Sequence, residues 1–257
     1  MIVPKIYPYI GITGFMSYFE VSQMHYMLRN IERMLMVGVN VSDKTLNGAK
    51  NNHPGRYPLV SSIKDIFQER ENSNTLKIIH YHTQNTANLY THLCRLTDIG
   101  GDNLDGFQLN VTWPKSTELE RYHHSIGDKV FILSINNIAI DSVGRKPKEL
   151  AKKIKNLYEG LVHYILIDQS NTRGLALNTD KTLRYLEAIR NLLPKIGLVV
   201  TGGIGPDNLS YLKEIIKQFP DISIDAESEL RSGSRDILDI ISAQRYLKNA
   251  QNLFKLA

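Results

Sequence analysis

The chain carries a single cysteine, Cys94, in 257 residues and therefore forms no internal disulfide. That fits a reducing cytoplasm, where thiols stay free. It has no stretch near the roughly 18 to 20 consecutive apolar residues that a membrane-spanning helix needs, so no membrane partner is expected. Its first residues hold no basic segment leading into an apolar run; no export signal is expected, and the cytoplasm is the expected location. Charge of one sign is also scarce, with a net of +5. The basic residues are spread along helix-like stretches such as Lys146 to Lys155, without a compact patch and without interleaved aromatics. Such a balance describes a lysine-rich surface or a protein that meets an anionic small molecule, and it does not support a nucleic-acid partner.

What is present is strand and helix in alternation. The chain is long enough for one large α/β domain, and β/α barrels commonly occupy about 250 residues as a single unit. Short runs rich in β-branched residues, bounded by turn signals, read as strands at Lys5–Ile12, Met34–Val41, Leu76–His82, Gly106–Trp113, Lys129–Asn136, Val162–Asp168, Ile196–Gly202 and Ile222–Glu227. Helical spacing lies between them, as in Leu183, Leu186, Ile189 and Leu193, or Leu209, Leu212, Ile215, Ile216 and Phe219. Pro147 and Pro206-Asp207-Asn208 read as helix openings, with proline in the first turn. Eight such units joined by right-handed crossovers give eight parallel strands. Closing them into a (β/α)8 TIM barrel over residues 1–257 removes the sheet edges; an open doubly wound sheet is the competing arrangement. One long irregular connection, Ser42–Pro58, follows strand 2, where it reads either as a lid or clamp or as a surface loop.

Period two places several polar residues on the inward parity of these strands: His80 and His82, Gln108 and Asn110, Ser134 and Asn136, Asp168, then Asp225 and Glu227. Ile79, Leu109, Leu133, Ile135, Ile167 and Ile224 take the other parity and would face the helices. Buried polar groups without partners are costly, so polar side chains gathered at C-terminal strand ends point to a site or to a self-satisfying network.

The residues then resemble a family, the phosphoribosylanthranilate isomerases of tryptophan synthesis. Gly11-Ile12-Thr13 resembles that family's first-strand Cys-Gly-Ile-Thr, and Phe107-Gln108-Leu109-Asn110 its fourth-strand Gln-Leu-His-Gly. Leu166-Ile167-Asp168 is similar to its Leu-Leu-Asp. Thr201-Gly202-Gly203-Ile204-Gly205-Pro206-Asp207-Asn208 is similar to its Ala-Gly-Gly-Leu-x-Pro-x-Asn. Asp225-Ala226-Glu227-Ser228, followed by Gly233 and Asp236, resembles its Asp-Val-Ser-Ser-Gly-Val-Glu and the Gly-x-Lys-Asp beyond. The resemblance implies a cofactor-free Amadori rearrangement of a small phosphorylated sugar-amine, driven by a strand-1 cysteine as base and a strand-6 aspartate as acid. Carried over, Asp168 is the acid, and Gly202, Gly203 and Ser228 hold phosphate. Arg56, in His53-Pro54-Gly55-Arg56, and Arg173, in Asn171-Thr172-Arg173-Gly174, are the candidates to grip an anion. Gln108 and Asn110 complete the binding set.

The chain departs from the family at two places. Ile10 stands where the base should be and moves no proton, which leaves Glu227, His82 and His80 as possible replacements; a general base contributes about 10² to 10⁴ in rate. Glu227-Ser228-Glu229 replaces Ser-Ser-Gly, so two carboxylates sit at the expected phosphate unless they point away or Arg231 intervenes. If active, the protein is expected to be an isomerase. Two other readings stay open. His80 and His82 with Asp168, Asp225 or Glu227 offer the N/O mix of a metal-dependent phosphosugar epimerase. A barrel that has lost its base and only binds a metabolite or partner protein is the other.

Overall fold

Eight parallel strands pair in chain order and close, the eighth against the first, in a computed structural model that describes residues 6–25, 27–28, 32–68, 74–168, 178–233 and 236–256. The elements run β1 Tyr9–Thr13, α1 Tyr18–Met24, β2 Met34–Ser42, α2 Asp43–Leu46, α3 Ile63–Ile66, β3 Thr75–His82, α4 Leu89–Gly100 and β4 Gly106–Asn110. They continue with α5 Ser116–Ile126, β5 Val130–Ile135, α6 Asn137–Asp141, α7 Pro147–Tyr158, β6 Tyr164–Asp168, α8 Thr179–Leu192 and β7 Gly197–Thr201. The last are α9 Lys213–Gln218, β8 Ser223–Ala226, the two-residue pair β9 Arg231–Ser232 and β10 Ile237–Leu238, and α10 Ile240–Lys255. Pairing of Ile10 with Ile224 and of Ile12 with Ala226 seals the ring. The architecture is a (β/α)8 barrel, and the open sheet is excluded.

The pleat sorts the strand residues as period two predicts. Tyr9, Met36, Ile78, Ile132, Tyr164 and Val199 fill the lower barrel interior. Ile79, Leu109, Leu133, Ile135, Ile167 and Ile224 belong to the separate layer between strands and helices. Each such side chain contributes about 1.5–3 kcal/mol by leaving water, which is why register is firmly set. Gly11 faces inward where no side chain fits. A Cβ there would come within 2.8 Å of Asp225 Oδ1 and 2.6 Å of Met36 Cε.

Helix starts follow their caps. Asn178 accepts from the Lys181 N–H at 2.9 Å to open α8, and Pro147 sits in the first turn of α7. Three expectations are corrected. Strand 4 stops at Asn110 rather than Trp113, because Trp113 takes φ +52°, which no extended strand accommodates. The crossover after β2 carries no full helix, only α2, a short 3₁₀ turn and α3, each of four residues or fewer. Pro206-Asp207-Asn208 forms a turn, and the helix beyond begins as a 3₁₀ segment, Leu209–Leu212, before α9. The reason is local: the Asn208 side chain is turned back into the loop, accepting from Gly205 N–H and donating to the Gly203 carbonyl, so it cannot cap a helix.

Candidate active site

At the C-terminal ends of the strands lies a cavity of about 460 Å³. Asp168 enters it from the end of β6, Asp225 and Glu227 from β8, His80 and His82 from β3. Gln108 and Asn110 come from β4, Ser134 and Asn136 from β5 and the loop after it. Gly202 and Gly203, both at positive φ (114° and 59°), line it after β7, and Ser228 lines it after β8. Only glycine adopts such angles readily, so the chain can turn its backbone toward the cavity there without strain. A larger groove of about 710 Å³ runs between α7 and α8, lined by charged side chains including Lys146, Lys148, Glu149, Arg184 and Glu187. It lies on the helices, away from the strand ends where the interior polar groups converge.

The floor of the cavity is a buried polar cluster. Thr13 donates to Asp225, with Oγ1 3.0 and 3.1 Å from the two carboxylate oxygens, and lies 3.3 Å from His80 Nε2. Burial, then the nearby Glu227 charge, holds the Asp225 carboxyl well above the usual carboxylate range, against the Thr13 bond. Asp225 therefore keeps its proton where a solvated carboxylate would have lost it. Burial and the adjacent His82 push His80 well below its ordinary value. Burial also lowers His82, opposed by Glu227. Both imidazoles are neutral near pH 7.

The Ser42–Pro58 connection crosses this mouth as a strap, and His53, Arg56 and Tyr57 on it line the cavity. The Arg56 fork grips Asp236, through Nε to Oδ2 and through Nη2 to Oδ1 at 2.9 Å. Its remaining Nη1 faces Glu227 Oε1 at 3.3 Å and Ser228 Oγ at 3.4 Å. Arg231 donates to the carbonyls of Gly55, Asp236, Thr13 and Gly14, which seats the strap on β1. These contacts hold the Gly55–Arg56 part of the connection against the barrel. Tyr57, its ring 6.1 Å from that of His82, has its hydroxyl pushed up to about 12 by burial and then Glu227, against Arg56.

The sequence matches no family model and no curated protein. In three dimensions the chain is similar to TrpF, a phosphoribosylanthranilate isomerase, from Jonesia denitrificans. The TM-score is 0.59 at 12% identity, over 96% of this chain and 98% of that one. It shares that isomerase's fold. The same fold relates it to active domain 2 of a thermostable chitinase from Pyrococcus furiosus (TM-score 0.57, 11% identity, 96% and 97% covered). It also relates it to CutC from Streptococcus agalactiae (TM-score 0.56, 13% identity, 85% and 98% covered). Proteins this different in what they are called share the barrel, so the fold by itself does not choose among activities.

Set beside the TrpF-like expectations, the residues sort cleanly. Asp168, Glu227, His82, Gly202, Gly203, Ser228, Arg56, Gln108 and Asn110 all line one cavity. Arg173 lies outside the described residues. Ile10 is fully buried in the layer between strands and helices, so the position matched to the family's base does not face the cavity at all; the inward residues of β1 are Gly11 and Thr13. Cys94 is in α4 and packs against the outer core. Arg231 is not among the residues lining the cavity; its Nη1 and Nη2 donate to backbone carbonyls, while Arg56 does line it. Glu229 is exposed and does not line the cavity. Among the described residues, no three His, Cys, Asp or Glu side chains gather as a metal-ligand set. Sequence reasoning missed Asn40 and Tyr57. Asn40 was findable, as the one amide on the inward parity of an otherwise apolar strand 2; Tyr57 sits in an irregular segment with no periodicity to read.

Proposed function

We propose that this barrel is an acid–base enzyme of the isomerase type that acts on a small phosphorylated sugar or sugar-amine. The observation that carries the reading is that Asp168 and Glu227 stand at two separate strand ends around one cavity, which amides, hydroxyls, histidines and Arg56 also line. Two carboxyl groups on different sides of one cavity can serve as proton donor and acceptor to one substrate. Asp168 is the proton donor to the sugar ring oxygen. Opening of the ring leaves an acidic C–H beside the imine carbon, and Glu227, held by Arg56 and Asn40, takes that proton in place of the absent cysteine. Gln108, Asn110 and Asn136 supply donors and acceptors for sugar hydroxyls. Gly202, Gly203 and Ser228, with Arg56 Nη1 beside them, receive the phosphate.

The test is turnover of phosphoribosylanthranilate, followed as loss of its fluorescence, by the intact protein and by Asp168→Asn. The reading expects activity that drops by about 10² or more in the variant. No turnover by the intact protein rejects this substrate. One observation favours a binding barrel as the second reading: Glu227 is held by both Arg56 and Asn40. Phosphosugar binding that survives Asp168→Asn, with no turnover of any sugar-amine, would establish it.

A further inference from the structure

Four side chains on three neighbouring strands, with Glu227 at one end, form a hydrogen-bonded line along one side of the cavity. Asn40 Nδ2 donates to Glu227 Oε1 at 2.8 Å. Asn40 Oδ1 lies 3.1 Å from His82 Nε2. The same Nε2 is 3.1 Å from Asn110 Nδ2, and Asn110 Oδ1 accepts from Gln108 Nε2 at 3.2 Å. Gln108 is 4% exposed, lines the cavity, and its Oε1 has no partner among the described residues.

These contacts do not fit together as they stand. His82 Nε2 meets an acceptor on one side and a donor on the other. A ring nitrogen that bears hydrogen satisfies only Asn40, and one that carries a lone pair satisfies only Asn110. Amides along the line must turn over, which exchanges O and N without changing the side chain's shape. Asn40 is not free to turn, because that would set its Oδ1 against the Glu227 carboxylate. Among the described residues, Asn110 and Gln108 have no other side-chain partner that resists turning. With Glu227 ionised, the consistent arrangement puts hydrogen on His82 Nε2 and turns the Asn110 oxygen toward it. Asn110 Nδ2 then donates to Gln108 Oε1, and the Gln108 Nε2 amide is left facing the cavity.

We propose that Asn40, His82 and Asn110 are positioning residues that relay the charge of Glu227 to Gln108, so that the cavity offers an N–H donor there and selects a ligand with an acceptor oxygen. A carbonyl, ring or phosphoryl oxygen meets that requirement. Glu227 is faced by Arg56, Arg231, Asp225 and Tyr57 as well as by Asn40, and His82 by Glu227 and His80. The relay is a property of the free protein. It stands or falls separately from the proposed reaction, because its test uses no substrate.

The experiment reads the His82 tautomer near pH 7 by two-bond ¹H–¹⁵N correlation across the imidazole ring, with His82→Gln identifying its signals among the eight histidines. The intact protein is expected to hold His82 as Nε2–H. Asn40→Leu removes the fixed acceptor and leaves only Asn110, which can turn either way, so the single Nε2–H state should give way to a mixture of the two tautomers. Asn110→Leu should leave Nε2–H in place. If Asn40→Leu does not fold, Glu227→Leu carries the test, since it unlocks Asn40 and should end the single Nε2–H state. An Nδ1–H or doubly protonated His82 in the intact protein overturns the relay. So does an Nε2–H tautomer that persists in the Asn40 or Glu227 variant.

Discussion

At the scale of single residues, the site is built from groups whose ordinary chemistry is altered by place. Asp225 is the clearest case, 4% exposed and bonded to Thr13. An unfolded aspartate titrates near about 3.9, whereas burial and Glu227 keep the folded one protonated well above that. The folded state then holds a proton that the unfolded chain releases, so this residue's contribution to stability declines as pH rises from about 3.9 through the folded value. Asp225→Asn keeps an acceptor for Thr13 and removes the titration. Urea unfolding should show the variant more stable than the parent at pH 7, with the gap shrinking toward pH 4. A gap that does not change with pH would mean that Asp225 is ionised in the fold. The inward polar residues were legible from parity alone, because side chains on a strand alternate strictly. Their surroundings were not, since Thr13 and Asp225 are 212 positions apart.

At the scale of elements, the seam between β5 and β6 carries its own pH sensitivity, far from the cavity. His163 Nδ1 accepts from the Phe131 N–H at 3.0 Å, so the ring must be unprotonated on that atom. Burial, then nearby His123, lowers His163 to about 4, with Asp128 opposing. The unfolded chain binds this proton below about 6.5, while the folded seam resists it until about 4. Stability from this residue is therefore complete above about 6.5 and lost as pH falls to about 4, on the order of 3 kcal/mol. His163→Gln keeps an acceptor without a titrating ring. Unfolding free energies at pH 7 and pH 4 should differ less in the variant than in the parent by about that amount; equal differences would clear His163 of the effect. Strands and long helices such as α7 and α8 were readable from periodicity. The strap was readable only as a long segment without period, because what orders it is Arg56 on Asp236 and Arg231 on Gly55, contacts with residues at the other end of the chain.

At the scale of the whole molecule, a barrel must close, and closure brings the two ends of the chain together. Arg33, just before β2, donates to the Ile222 carbonyl at 2.6 Å and the Pro220 carbonyl at 2.5 Å, while its guanidinium lies 3.5 Å over the Phe254 ring. It ties the start of β2 to the entry of β8 across β1. Arg33→Ala leaves two carbonyls short of a charged donor and strips the face of Phe254, and should cost about 2–4 kcal/mol. Because the closed sheet has no edge at which part of it can open alone, the loss should appear as a lower midpoint in one shared transition by circular dichroism and by tyrosine fluorescence. Separate transitions for the two probes would show that β1 and β8 part before the rest of the ring.

The sequence by itself determined the alternation of strand and helix, the parity that separates interior from helix-facing residues, and the gathering of polar side chains at one end of every relevant strand. These follow from local spacing, which the backbone imposes whatever lies across from it. Only the tertiary structure decided that Ile10 turns away from the cavity, that Arg231 turns both its terminal nitrogens to backbone carbonyls, and that Asn40 joins Glu227 to His82. Each depends on which distant atom stands within about 3 Å, the reach of a hydrogen bond, and that is settled by closure of the barrel rather than by any stretch of chain.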